Sequence, residues 1–207
     1  MFKSILFAVA LLGATTANAA VKMIGEHTLQ ITGNTTQTQA QQVMFSLQKH
    51  DVKRVVMWGN GGDYFAGNMI GTMLKEEGVV VQIPTNRRCI SACAFAALAG
   101  NKVLLGGELW FHRPYRPMYL PDESLTEIEG SAQSAGMHQA YYAYIMDFPI
   151  RFVHEMINTT STCKYIVIWK TSAINKLLSY SFDERSWSVS RRNVDECNAN
   201  PIRKFIK

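Results

Sequence analysis

The sequence predicts a single α/β domain with a largely parallel central sheet, and three observations support that fold class. Apolar, β-branched runs alternate along the chain with stretches in which apolar residues recur at helical spacing. Glycine or proline separates most of these segments. The 47% hydrophobic and 18% charged content is typical of a globular domain with a core. Repeated strand–helix alternation favours parallel strands, because each helix returns the chain across the sheet.

The N-terminus has the pattern of a secretory signal peptide over residues 1–19. A short basic start (1–3) precedes an apolar run (5–12) that is too short to span a bilayer. The small residues Ala17 and Ala19 then form a cleavage pattern. We expect cleavage after Ala19, a mature chain of about 190 residues that is periplasmic or secreted, and no transmembrane segment after cleavage.

In the first half of the domain, three predicted strands alternate with two predicted helices. Period-two alternation predicts the first strand, and helical spacing predicts the helix after it. A β-branched run predicts the second strand, which the glycine-rich turn at 59–62 is expected to end. Asp63 is placed to cap the next helix, and Gly78 to end it. The predicted elements are strand 27–32, helix 38–49, strand 52–58, a helix through 65–74 and strand 79–83.

The second half continues the alternation after a short alanine-rich helix. Ser91 is expected to begin this helix and Gly100 to close it. The domain is expected to span residues 20–185, with a basic C-terminal tail over 186–207. The predicted elements are helix 91–98, strands 103–105 and 109–112, a mainly helical stretch over 122–147, helix 152–157, strand 165–169 and helix 173–178.

Four cysteines in an exported chain are expected to form disulfides. Three pairings are compatible with the sequence. A local bridge between Cys89 and Cys93 would brace the turn at Ser91, and Cys163 with Cys197 would then tie down the tail. No paired CxxC motif occurs and the histidines are scattered, so the sequence predicts no zinc site.

The formal net charge of +5 is dispersed, with part of it at the C-terminus. A charge of this size favours acidic surfaces, such as anionic lipid or polyanionic glycans, only mildly. The chain lacks the clustered basic and aromatic stripe of a nucleic-acid groove, and it contains no Walker-type loop. We therefore expect no nucleic-acid partner, no cofactor and no metal.

A serine, a histidine and a glycine pair supply the groups that an acyl-transfer site requires. Ser91 is expected at a strand-to-helix turn, and His112 at the end of a later strand. The backbone N–H groups of Ala92 and of Gly61 or Gly62 could hold an oxyanion formed when Ser91 attacks a carbonyl. Each also has a structural interpretation: a helix cap for the serine, a structural histidine, and a plain turn for the glycines.

Taken in chain order, these segments resemble a known family. The segment 55–63 with Ala66 and Gly67 resembles the strand, glycine pair and helix start of the Clp protease proteolytic subunit. Exported bacterial proteins of the Clp/crotonase-like superfamily are more similar still. In those proteins the serine lies in a Cys-x-Ser-Ala-Cys motif, here at 89–93, and the histidine in a Phe-His-Arg-Pro-like motif, here at 111–114.

This resemblance covers roughly residues 27–180, and it implies a fold and a set of roles. The implied fold is a Clp/crotonase-like spiral of β-β-α units. The implied roles are nucleophile for Ser91, base for His112, and oxyanion donors near Gly62 and Ala92.

The resemblance fails at the third member of the triad. The Clp subunit has an aspartate in a helix well after the histidine, near the segment corresponding to 153–160, and this chain has none there. Glu155 is the first candidate to orient His112, with Asn158 or Asp147 as substitutes. Loss of an orienting carboxylate is expected to lower the rate substantially without abolishing the chemistry.

The function that follows is an exported serine hydrolase, a peptidase that forms an acyl-enzyme with short or unfolded peptides. One alternative is a catalytically inactive Clp-like module for binding or assembly. Another is a crotonase-type thioester enzyme, which export disfavours because acyl-CoA substrates are cytoplasmic. The superfamily resemblance also implies that copies of the chain can associate into a homo-oligomer.

Overall fold

The computed structural model describes residues 19–113, 117–119, 125–127, 129–159, 161, 163–179 and 189–196, of which 117–119, 125–127, 129–135 and 159 are described by their backbone alone. Within these residues the chain forms a nine-stranded sheet, a separate two-stranded hairpin and six helices. The strands are β1 Ala20–Gly25, β2 Thr28–Thr35, β3 Arg54–Gly62, β4 Val80–Ile83, β5 Arg88–Ile90, β6 Lys102–Leu105, β7 Glu108–Phe111, β8 Pro117–Tyr119, β9 Leu125–Glu127, β10 Lys164–Ile168 and β11 Arg192–Asp195. The helices are α1 Gln37–Lys49, α2 Tyr64–Glu76, α3 Ala92–Leu98, α4 Glu129–Met146, α5 Ile150–Thr159 and α6 Thr171–Leu178.

The long strand β3 links the two halves of the main sheet. Its first residues pair with β4, where Arg54 lies opposite Val80, and its later residue Gly59 pairs with Cys89 of β5. The strand order is β1-β2-β3-β5-β7-β10-β11, with β6 attached through β4. Five strand pairs are parallel: β2–β3, β3–β4, β3–β5, β4–β6 and β5–β7. Three are antiparallel: β1–β2, β7–β10 and β10–β11. The predicted α/β class with a largely parallel sheet is confirmed.

Helix α3 is buried along its whole length and is fixed by close packing on both sides. A Cβ atom on Gly67 of α2 would lie 2.7 Å from the Ala92 carbonyl oxygen, so α2 and α3 touch through their backbones. On the sheet side, the Phe95 ring packs edge-on against Phe111 at 5.3 Å, and Phe111 packs against Phe152 at 5.1 Å. This packing fixes the end of α3 that follows Ser91.

Helices α1 and α2 each begin at a residue whose side chain caps the helix. Thr36 caps α1 by accepting a hydrogen bond from the Gln39 N–H at 3.1 Å. Asp63 caps α2 as predicted, since its carboxylate accepts from the Ala66 N–H at 3.1 Å. Gly78, which was expected to end this helix, adopts the positive φ of +61° that glycine accommodates.

The sequence predicted none of the strands β1, β5, β8, β9 and β11, and two of its predictions were wrong in part. Strands β1, β5 and β11 lack a long alternation of apolar residues, so their formation depends on pairing with neighbouring strands of the sheet. Strand β3 continues to Gly62 instead of ending before the glycines, because Thr35 of β2 still pairs with Gly62. The stretch predicted as mainly helical from residue 122 contains strand β9, and its helix begins at Glu129.

The structure describes part of the predicted C-terminal tail but almost none of the predicted signal peptide. Residues 1–18 of the predicted signal peptide lie outside the described residues. Part of the predicted tail, β11, pairs with β10, and ion pairs join Arg192 to Glu108 and Lys164 to Asp195. No helix in the described ranges has the length and apolarity needed to cross a membrane.

Candidate active site

Three predicted site segments leave neighbouring strands at one edge of the sheet. Strands β3, β5 and β7 are adjacent and parallel, so their carboxyl ends face the same way. Gly61 lies at the end of β3, Ser91 follows β5, and His112 follows β7. Ile90 pairs with Trp110, and the Ser91 N–H donates to the Trp110 carbonyl at 2.8 Å. The fold therefore gathers residues that are far apart in sequence.

Ser91 has an unusual backbone conformation, with φ of 56° and ψ of −125°. For a residue with a side chain such a conformation costs about 1–3 kcal/mol and is concentrated at functional sites. The residue occupies the cap position of α3, yet its hydroxyl makes no capping hydrogen bond. Interpreting Ser91 as an ordinary helix cap is therefore wrong for its side chain.

The glycine pair packs its backbone directly against the Ser91 turn. A Cβ atom on Gly61 would lie 2.5 Å from the Ile90 carbonyl oxygen and 2.7 Å from the Ser91 Cβ. One on Gly62 would lie 2.5 Å from the Thr35 carbonyl oxygen. Both glycines also have positive φ, +81° and +143°. Only glycine fits at these two positions, so the segment is not an ordinary surface turn.

A disulfide spans the same turn. Cys89 of β5 is bonded to Cys93 of α3, with their Cα atoms 5.2 Å apart, which confirms the predicted local pair. Both cysteines are buried. Cys163 is disulfide-bonded too, and its predicted partner, Cys197, lies outside the described residues.

His112 is buried, with 6% of its surface exposed, and its ring is oriented by a backbone group. Its Nδ1 lies 2.8 Å from the Arg113 carbonyl oxygen, which can only accept a hydrogen bond. The neutral ring must therefore carry its proton on Nδ1, which leaves a lone pair on Nε2. The Tyr165 ring packs edge-on against the imidazole at 5.4 Å.

Burial also determines the protonation state of this histidine. Loss of solvent lowers the pKa of His112 below its usual value, and the hydrogen bond to the Arg113 carbonyl offsets this only in part. The ring is therefore neutral at neutral pH. A neutral imidazole with a lone pair on Nε2 is the form that a general base requires.

Ser91 and His112 are not hydrogen-bonded to each other. Within the described residues the Ser91 hydroxyl has no hydrogen-bond partner. Catalytic hydrogen bonds are often long in a site without substrate and shorten in the complex. The two groups thus lie on adjacent strand ends without the contact that a reaction would need.

The three candidates for an orienting group are placed as follows. Glu155 lies on α5, where its carboxylate accepts a hydrogen bond from Arg191. Asn158 donates to the Nε2 of His154 at 3.0 Å. Asp147 is exposed in the turn after α4, with a φ of 57°.

Two features of this site left no signal in the sequence. The Arg113 carbonyl is a backbone group, so no residue type indicates its role. Tyr165 fell inside a predicted strand, but its position against His112 depends on the β7–β10 pairing. Among the residues that the structure describes, no cluster of three or more potential ligands could hold a metal ion.

Comparison with known proteins gives a fold and no family. The sequence matches no family model and no curated protein. Among solved structures it is similar to 1510-N, a membrane-bound stomatin-specific protease, as a serine-to-alanine mutant, with a TM-score of 0.52 and 15% identity over 72% of this chain and 74% of that one. The domain has a Clp-like protease fold.

The same protease as a lysine-to-alanine mutant in complex with a substrate peptide gives the same TM-score and identity, over 72% of this chain and 70% of that one. At 15% identity the likeness establishes the fold alone. It confirms the predicted Clp-like architecture.

Proposed function

We propose that this chain is an exported serine peptidase that cleaves short or unfolded peptides through an acyl-enzyme. The observation that carries the proposal is the strained backbone of Ser91, whose hydroxyl is left out of the helix cap and faces no described hydrogen-bond partner. Gly61 packs against this turn, and His112 follows the neighbouring strand end. The Clp-like fold of known proteases supports the reaction class.

In the proposed reaction, the Ser91 Oγ bonds to the substrate carbonyl carbon while the His112 Nε2 takes the hydroxyl proton. The oxyanion accepts hydrogen bonds from the N–H groups of Ala92 and of Gly61 or Gly62. The carbon–nitrogen bond then breaks, and the imidazolium returns its proton to the leaving amine. Water attacks the acyl ester with His112 again as base, which releases the acid and restores Ser91.

A backbone carbonyl takes over part of the role of the missing aspartate. The Arg113 carbonyl holds the imidazole in the tautomer whose Nε2 carries the lone pair that accepts a proton. A carbonyl carries no full negative charge, so it stabilises the imidazolium less than a carboxylate would. We expect a slow enzyme, with Glu155 acting mainly to hold Arg191.

Export is part of this proposal. The signal-like pattern at 1–19 supports it, as do disulfides in a chain of this size, because disulfides persist in oxidising compartments. Export also disfavours the crotonase-type thioester alternative.

A second candidate function is a non-catalytic binding module on the same fold. The observation that favours it is that the Ser91 hydroxyl makes no hydrogen bond to His112. On this alternative, the backbone of the Ser91 turn would serve recognition only.

Reaction with a fluorophosphonate separates the two functions. The folded protein should be labelled at Ser91, and Ser91→Ala should abolish labelling. Ser46→Ala is the matched control, because Ser46 lies on α1 and its hydroxyl only donates to Gln42. Labelling that persists in Ser91→Ala contradicts the nucleophile assignment, and an unlabelled, folded wild type favours the binding module.

A further inference from the structure

Helix α4 contains a buried amide whose donor has no partner. The Gln139 side chain is 1% exposed, and its Nε2 has no hydrogen-bond acceptor among the described residues. Buried polar groups are nearly always paired, because leaving a donor without an acceptor is costly. A ligand that brings an acceptor would remove this cost.

The contacts of its neighbours place Gln139 beside the catalytic edge. The preceding residue, His138, packs against the rings of Tyr64 at 6.2 Å and Phe65 at 5.1 Å. These two residues begin α2 directly after Asp63 and the glycine pair. This part of α4 therefore lies at the level where β3 ends.

One turn later, α4 contacts the helix that follows the serine. The Tyr142 hydroxyl donates to the Phe95 carbonyl at 3.4 Å, and the Phe95 N–H donates to the Ser91 carbonyl at 3.1 Å. Gln139 shares a face of α4 with Tyr142 and Ala143, both of which are buried. It thus lies between a contact to the start of α2 and a contact to the middle of α3.

The general direction of helical side chains indicates toward which end of α4 Gln139 extends. In an α-helix, side chains lean toward the N-terminus of their helix. For Gln139 that direction leads away from the Tyr142–Phe95 contact and toward the level of Tyr64. Its Cα–Cβ bond therefore points toward the end of α4 that lies beside Tyr64, the residue that follows Asp63 and the glycine pair.

We propose that Gln139 binds the substrate, with its Nε2–H donating to a backbone carbonyl oxygen of a peptide held at Ser91. The inference rests on the proposed peptidase function and adds a substrate-binding residue to it. A neutral carbonyl suits this position better than an anion, because the neighbouring side chains Ala143 and Met146 are apolar and buried.

The melting temperature distinguishes a buried hydrogen-bond donor that is available to a ligand from one that already has a partner within the protein. Gln139→Met should leave the melting temperature unchanged or raise it, because it removes a buried donor without breaking a bond. Gln39→Met is the matched control: Gln39 is equally buried, but its Nε2 donates to the Thr32 carbonyl at 2.9 Å. The control should melt at a lower temperature, and an equal drop in both variants would contradict the proposal.

Two covalent probes then test binding. A peptidyl phosphonate presents backbone carbonyls, whereas a small alkyl fluorophosphonate presents none. Gln139→Met should slow labelling by the peptidyl probe about 3- to 10-fold, the size expected for one lost hydrogen bond. Labelling by the alkyl probe should not change.

Each other outcome has one meaning. Equal peptidyl labelling of wild type and Gln139→Met overturns the role of Gln139 and leaves the peptidase proposal intact. Equal slowing with both probes shows damage to the nucleophile and also overturns it. If neither probe labels the wild type, the peptidase proposal fails and the role of Gln139 falls with it. Gln139→Leu repeats the test if the methionine variant does not fold.

Discussion

The two halves of the candidate site are built in different ways. Three restraints act on the turn of the nucleophile half: a disulfide joins Cys89 to Cys93, Gly61 packs on the turn, and the Ser91 N–H is hydrogen-bonded to β7. In the base half, His112 is hydrogen-bonded to the Arg113 carbonyl and packs against the Tyr165 ring. The carboxylate nearest to the family position is paired with an arginine.

This difference indicates what each half requires. The strained Ser91 backbone persists only if its surroundings enforce it, so the turn needs covalent and steric restraint. A buried imidazole needs a defined tautomer and orientation, and a carbonyl acceptor supplies both, although it stabilises the imidazolium less than a carboxylate does. We therefore expect the site to depend strongly on the restraints around Ser91 and weakly on Glu155.

Removing the base should have the largest effect. His112→Gln should lower the rate of fluorophosphonate labelling by about 10²- to 10⁴-fold, because it removes the proposed general base. His154→Gln is the control, since His154 is an exposed histidine bonded to Asn158. Similar rates for the two variants would show that His112 is structural.

Adding a methyl group at the glycine turn should have the next largest effect. Gly61→Ala should reduce labelling by about 10²-fold, because the new Cβ would collide with the Ser91 turn and displace an oxyanion donor. Gly78→Ala is the matched control: it also has a positive φ, but nothing lies within 4 Å of its new Cβ. Equal loss in both would mean that backbone strain alone explains the effect.

Removing the disulfide should have a moderate effect. The double variant Cys89→Ala, Cys93→Ala should lower the free energy of unfolding by about 2 kcal/mol, as expected for a short loop. It should also slow labelling about tenfold, because the Ser91 turn can relax toward an unstrained conformation that costs about one to three kcal/mol less.

A variant that is less stable but unchanged at the site distinguishes the loss of stability from the relaxation of the Ser91 turn. Thr36→Ala removes the cap of α1 and should cost about 1 kcal/mol. Its labelling rate should equal that of the wild type. If the disulfide variant also labels at the wild-type rate, the bridge stabilises the fold without positioning the serine.

Removing the Glu155 carboxylate should have the smallest effect. Glu155→Gln should change labelling by less than about threefold and cost at most about 1 kcal/mol, because its ion pair with Arg191 is partly exposed. A loss as large as that of His112→Gln would show that Glu155 acts on the base.

Local patterns in the sequence predicted the fold class and the nucleophile half well. The capped start of α2, the cysteine pair and the glycine turn are short-range features, and the structure contains each of them. The base half depends on long-range contacts and on a backbone atom. No sequence pattern indicates that the Arg113 carbonyl contacts the ring of His112, or that β10 brings Tyr165 to His112. Strand β5 was missed for a similar reason, since Arg88 belongs in a strand only because its neighbours pair with it.

The central claim is that a neutral His112, held by the Arg113 carbonyl, can take the proton of Ser91 without the carboxylate of Glu155. Nitrogen-15 NMR of the imidazole across a pH titration tests it most directly. We predict a proton on Nδ1, none on Nε2, and a pKa below the usual value near 6.5. The same lowered pKa should make the fold less stable as the pH falls below about 6.5, because the unfolded chain then binds the proton more readily. A proton on Nε2 in the neutral ring, or a pKa raised above that of a free imidazole, would contradict the account.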